Sequence, residues 1–158
     1  MKRLTVLLLL VCLCSCSSRS YTSSLSCGEI TDRVGVEVLG EGIYAELDKD
    51  DVDRNFGHSE LYDSQSIIYS ASSDDVGEIG VFHAKDESAA DGLLEAANEY
   101  LYALRLDKEE FLKNYIPGEL KKLNGAQARR FGNYVVYAVL EPEATRSLFS
   151  FLDELLQK

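Results

Sequence analysis

The chain has 158 residues, 27 acidic against 16 basic side chains and a formal charge of −11, with 46% hydrophobic residues. That length and apolar content suffice for one ordinary core, and the negative surface repels nucleic acid and anionic lipid headgroups, so neither is an expected partner. Of the four cysteines only Cys27 lies beyond position 16, which excludes an intramolecular disulfide framework in the folded part.

Lys2 and Arg3, the apolar run Leu4 to Leu13 and the small residues after it form the pattern of a secretory signal peptide. The run is shorter than the roughly 20 apolar residues that span a bilayer as a helix. Leu13-Cys14-Ser15-Cys16 resembles the bacterial lipobox, with Leu at −3, a small residue at −1 and Cys at +1. Cys12 and Cys14 fit less well, because the bulky Val11 and Leu13 precede them. In proteins with that motif a diacylglycerol joins the Cys sulfur and the leader is removed. The competing reading is an ordinary secreted protein with chance cysteines in its leader. Residues 1–15 are expected to be the signal peptide, Cys16 the lipidated residue, 16–27 a flexible Ser-rich tether and 28–158 a single domain. Loss of Lys2 and Arg3 makes the mature chain two charges more negative. More than one acyl chain on Cys16 is enough for stable anchoring, where a single chain holds only marginally. Cys27 reads as a lone cysteine packed at the start of a helix, with pairing between chains as the alternative.

From there Ser26 reads as the cap of a first helix through Ile30, Val34 and Leu39, ending at Gly40 or Gly42, although Gly35 and three valines favour helix poorly. Ile43 to Leu47 reads as a short extended piece, and Asp48 to Gly57 as a helical turn with early aspartates at its positive end. Ser66 to Ser72 and Glu78 to Ala84 read as antiparallel strands around a turn at 73–77. A long helix follows from a cap at Asp86 to about Asn114, with Leu93, Ala97, Tyr100, Leu101, Leu104 and Phe111 as its core stripe. Lys108 interrupts that stripe, so the alternative is a helix broken near Asp107. Tyr115-Ile116-Pro117-Gly118 stops the helix, and Glu119 to Leu123 adds a turn. Ala126 to Phe131 and Tyr134 to Leu140 form a hairpin around Gly132-Asn133, where a leading Gly suits a type II′ turn. The second arm is continuously apolar, as in a strand buried on both faces. Pro142 opens a last helix with Ala144, Leu148, Phe151, Leu152 and Leu155 inward. The expected fold is α+β: an antiparallel sheet of about four strands, from two hairpins, packed with a long central helix and terminal helices.

Val76 to Asp86, Tyr115-Ile116-Pro117 after a long helix and Phe131 to Val135 stand in an order and spacing that resemble the small bacterial lipoproteins carrying the domain of unknown function numbered 4358. The resemblance covers about residues 29–157 and implies a cell-surface lipoprotein. It brings no activity, cofactor or catalytic residue to transfer.

The residues themselves offer little chemistry. Asp51, Asp53 and Asn55 match the start of a calcium loop, but Phe56 stands where the bend needs Gly and Tyr62 where the terminal Glu belongs. Asp48, Asp50, Asp51 and Asp53 therefore read as a solvated helix start. His58 and His83 with one free Cys are too few for zinc, and no nucleophile-elbow motif is present. His83 reads as a satisfied sheet residue and His58 as surface loop. Asp74 and Asp75 are an acid pair in a turn, of the kind that 27 acids produce by chance. Glu78 is the most unusual acid, because it opens the central strand; Arg129 or Arg130 is its expected partner across the sheet. Tyr100, Tyr102, Tyr134 and Tyr137 read as core and rim before ligand contacts.

The functional expectation is a non-enzymatic binding or accessory module without metal or cofactor, lipid-anchored on the extracytoplasmic face of the cell membrane, with an envelope protein, peptide or glycan as partner. A cell-envelope hydrolase using acidic residues is the alternative, motivated by location and abundant acids.

Overall fold

The computed structural model describes residues 20, 21, 23–39, 42 and 44–157. The expected leader, Cys16, the start of the tether and the helix stop at Gly40 lie outside them. Five antiparallel strands form one sheet in the order β1-β2-β3-β5-β4: β1 (Tyr44–Glu46), β2 (Tyr62–Ser70), β3 (Glu78–Ala84), β4 (Gln127–Phe131) and β5 (Tyr134–Val139). The fold is α+β as the periodicities predict, with the short piece at 44–46 pairing to β2 as an edge strand. Gly132 takes φ +62 at the head of the β4–β5 turn, the conformation that favours glycine there.

Helices cover both faces of the sheet, which is why its central strands are apolar throughout. Every residue of β5 is buried. Phe82, Ala84, Val135, Tyr137 and Val139 face one core with α2 (Lys49–Asn55), α3 (Glu87–Tyr115) and α4 (Leu120–Asn124). Ile79, Val81, Tyr134, Val136 and Ala138 face a second core with α1 (Cys27–Val34) and α5 (Pro142–Leu156). The alternation follows from the two-residue period of a strand.

β2 begins four residues earlier than its apolar run, at Tyr62. Asp63, Ser64 and Gln65 are polar, and the register shifts between Tyr62 and Ser64, so no alternation marks that half in the sequence. Ser26 closes a capping box with Glu29 at the head of α1, and a π-helical turn over Gly35–Leu39 takes up the β-branched stretch. Thr31 and Ser66, both buried, satisfy each other across helix and sheet at 2.8 Å. Cys27 is buried with its Sγ 3.4 Å from Ser64 Oγ.

Within the stretch read as tether, Tyr21 packs edge-on against Phe131 at 5.6 Å and donates to Asp153 Oδ1 at 2.8 Å. Tyr134 Oη donates to the carbonyl of Leu25 at 2.6 Å. The chain is thus held on the β4–β5 hairpin from Tyr21 onward.

α3 runs 29 residues without a break near Asp107. Asp86 caps it through the N–H of Ala89, and Glu109 joins Arg105 and Lys113 on its outer face at one-turn spacing. At roughly 1.5 Å per residue it is about twice as long as β3 and overhangs the sheet. The expected core residue Phe111 therefore sits 51% exposed beside Tyr115, while Leu112 is fully buried in the core that also holds Leu123 of α4. In α5 the inward stripe is likewise rotated: Leu148, Leu152 and Leu156 are fully buried, and Phe151 and Leu155 only partly.

Leu112→Ala is expected to cost about 2–5 kcal/mol in urea unfolding, and Phe111→Ala to stay within about 0.5 kcal/mol of the parent. Equal losses would show that the overhang is assigned to the wrong helix face.

Candidate functional site

The site forms where β3 begins. Glu78, Gly80 and Phe82 alternate onto the α3 side, and Gly80 stands directly opposite Tyr137 of β5. The missing side chain lets the tyrosine ring lie across the neighbouring strand: a Cβ at Gly80 would sit 2.2 Å from Tyr137 Cε1. That path carries the phenol to Glu78, where Tyr137 Oη donates to Oε1 at 2.5 Å. Tyr100, reaching down from α3, donates to the same oxygen at 2.8 Å, and the two tyrosine rings are 5.2 Å apart. Phe56 stacks on Phe82 at 4.3 Å and closes the aromatic group from the α2 side.

Burial pushes the Glu78 carboxyl above the ordinary glutamate range, and the two phenolic hydrogen bonds offset only part of that. Burial, then the nearby Glu78 charge, pushes Tyr100 and Tyr137 upward as well, so both stay protonated donors. Oε1 receives both bonds; no hydrogen bond from a described residue reaches Oε2.

Two adjoining clefts meet at this carboxylate. One, about 200 Å³, lies between the sheet end, α3 and α4, and is lined by Tyr69, Asp75, Val76, Leu104 and Leu123 along with Glu78. The other, about 520 Å³, runs under the end of α2 with Arg54, Tyr100 and Asp107 on its walls. Glu78, Leu104 and Lys108 belong to both. The surrounding charges are paired. Lys122 joins Asp75 at 2.6 Å and Glu119 at 3.0 Å. Lys108 joins Asp107 at 3.0 Å and Arg54 joins Asp51 at 2.5 Å. Burial raises Asp75, but the Lys122 ammonium and the N–H of Gly77 outweigh it and hold the carboxyl below the usual range.

Of the residues singled out by sequence, Glu78, Asp75 and Tyr100 line these clefts. The expected Glu78 partners Arg129 and Arg130 lie on β4, with β5 in between; Arg129 binds Asp153 at 2.9 Å and Arg130 binds Asp91 at 2.5 Å. His83 sits at the far end of β3 on the other face, 2.9 Å from Asp63 and edge-on to Tyr134. His58, at φ 58, is a loop residue near Glu60. Asp48 caps α2, Asp51 holds Arg54 and Asp53 accepts from Tyr62 Oη, so these three acids of the cluster are engaged by their own helix and the adjoining strand. Asp74 pairs with Ser72 Oγ. Among the described residues no group of three or more His, Cys, Asp and Glu is arranged to hold a metal ion. The sequence reading missed that Tyr100 and Tyr137 converge on one acid; the signal available was Gly80, a small residue inside an apolar strand.

Residues 43–140 match the family model described as Domain of unknown function (DUF4358). No curated protein and no solved structure matches the chain.

Two measurements check the geometry. A carboxyl raised by the fold contributes stability that is full below its unfolded value near 4.5 and lost as pH rises through the folded value. Glu78→Gln keeps an acceptor for both phenols and cannot ionise, so its melting temperature relative to the parent is expected to climb as pH rises above 4.5. A difference that stays level, or falls, would show that Glu78 is not desolvated. Gly80→Ala is expected to cost about 1–3 kcal/mol in urea unfolding, because the added Cβ drives the Tyr137 ring off its path; an unchanged midpoint would mean that the ring has room elsewhere.

Proposed function

Starting from the fact that this chain belongs to the DUF4358 family, we propose that it is a membrane-anchored extracytoplasmic lipoprotein serving as a non-enzymatic binding or accessory module. The observation that carries the reading is Cys16, placed where a charged start, a short apolar run and small residues end.

The fold supports it from the other side. The chain is held on the hairpin from Tyr21, five residues after Cys16, so a fully extended link spans at most about 18 Å. An acyl group on Cys16 would keep the β4–β5 end of the sheet close to the bilayer. The Glu78 cleft lies at the opposite end of β3 from His83, which pairs with Tyr134 of that hairpin. In this reading the cleft opens away from the lipid, where an envelope protein, peptide or glycan can reach it. Both phenols beside Glu78 are donors committed to its carboxylate, which suits recognition more than nucleophilic attack.

Intact mass of the native chain extracted from membranes is expected to correspond to a start at Cys16 plus acyl chains. Cys16→Ala is expected to lose that adduct and keep the leader. An unacylated native product, or one recovered from the cytosol, would overturn the reading.

A further inference from the structure

Three features of the clefts at Glu78 point the same way. Each neighbouring acid already has a cation: Asp75 has Lys122, and Asp107 has Lys108. Glu78 has two neutral phenols and no cation among the described residues, although it is the most deeply set acid of the three. A half-buried carboxylate without a counter-charge is disfavoured, and one positive charge would relieve it. Its second oxygen accepts from no described residue and stands open to solvent at the junction of two clefts. Val76, Leu104, Leu123 and Tyr69 give the smaller cleft, about 200 Å³, an apolar wall beside Glu78, and its charged members Asp75 and Lys108 are paired to Lys122 and Asp107. That space suits a slender chain better than a ring system. Lys108 stands on the same clefts but turns to Asp107, with its side chain 47% exposed.

We infer that the Glu78 cleft binds an aliphatic primary ammonium group, its charge on Glu78 Oε2 and its methylene stem against Leu104, Val76 and Leu123. The stem buries apolar surface, the ammonium supplies the missing charge and donors, and Tyr100 and Tyr137 hold the acceptor in place. The acidic domain draws cations toward the cleft mouth. This rests on the reading of the chain as a binding module and names the chemistry that its cleft would take.

The test follows the Leu104 methyl and Tyr100 ring resonances of the mature chain in detergent, titrated with 1,5-diaminopentane, with Nα-acetyl-lysine methylamide and with 1-pentanol. Saturable shifts with either amine, and binding at least about tenfold weaker with the alcohol and with Glu78→Gln, are expected. Binding of the diamine alone identifies a free amine as the ligand; binding of the lysine derivative alone identifies a side chain on a peptide or protein. Shifts that are absent with both amines at about 10 mM, equal with the alcohol, or unchanged in Glu78→Gln would overturn the assignment. The glutamine variant keeps an acceptor for both phenols, so its melting temperature reports directly whether it is folded. Failure here with Cys16 acylated overturns the ligand alone, whereas an unacylated native chain overturns the anchoring alone.

Discussion

The position of Tyr137 over Gly80 is the contact on which the rest of the structure turns. It is a cross-strand pair between the two most buried strands, and it occupies the volume that a side chain at Gly80 would fill. The ring is completely buried, so its hydroxyl must find an acceptor, and the acceptor within reach is Glu78. A packing requirement at one position thereby places a carboxylate at another, two residues along the same strand face. Tyr100 adds the second donor from α3 and ties the long helix to the start of β3. The outer layers then follow, since α3, α2 and α4 cover the face that carries this group, and α1 and α5 cover the reverse.

The polar links around the clefts form a second tier. Lys122 gathers Asp75 and Glu119, and Glu119 also accepts from the N–H of Val76 at 3.1 Å, so the β2–β3 turn is fastened to α4. These bonds fix the wall of the smaller cleft without using Glu78. The site is thus built of charges that are settled and one that is not, and this contrast separates it from the many surface ion pairs of an acidic chain.

Much of the architecture was legible in the residues. β3 runs over Glu78–Ala84 as its apolar run reads, Gly132 turns the hairpin, Pro142 opens α5, and Ser26 and Asp86 cap their helices. The failures have physical causes. A lysine in the stripe at Lys108 suggests a break only if core burial has to continue there; α3 instead runs on, and Lys108 stands half-exposed on the rim of the clefts, paired to Asp107. Phe111, on the same overhanging part of α3, is exposed where the stripe places it inward. Glu78 was matched to arginines two strands away, because strand order is not written in local periodicity: β5 inserts between β3 and β4. The tyrosine partners lie 22 and 59 residues from Glu78, and nothing in a local window joins them.

That inserted strand sets the order in which the chain can close. Translation delivers β1, β2, β3 and α3 first, and for the whole of that interval β3 presents an unpaired row of amides and carbonyls along one side. Only when residues 134–139 emerge can the gap be filled, by a strand that pairs with β3 on one side and β4 on the other. A chain cut short of that point would leave the β3 edge open, the kind of unpaired edge that invites association with other strands.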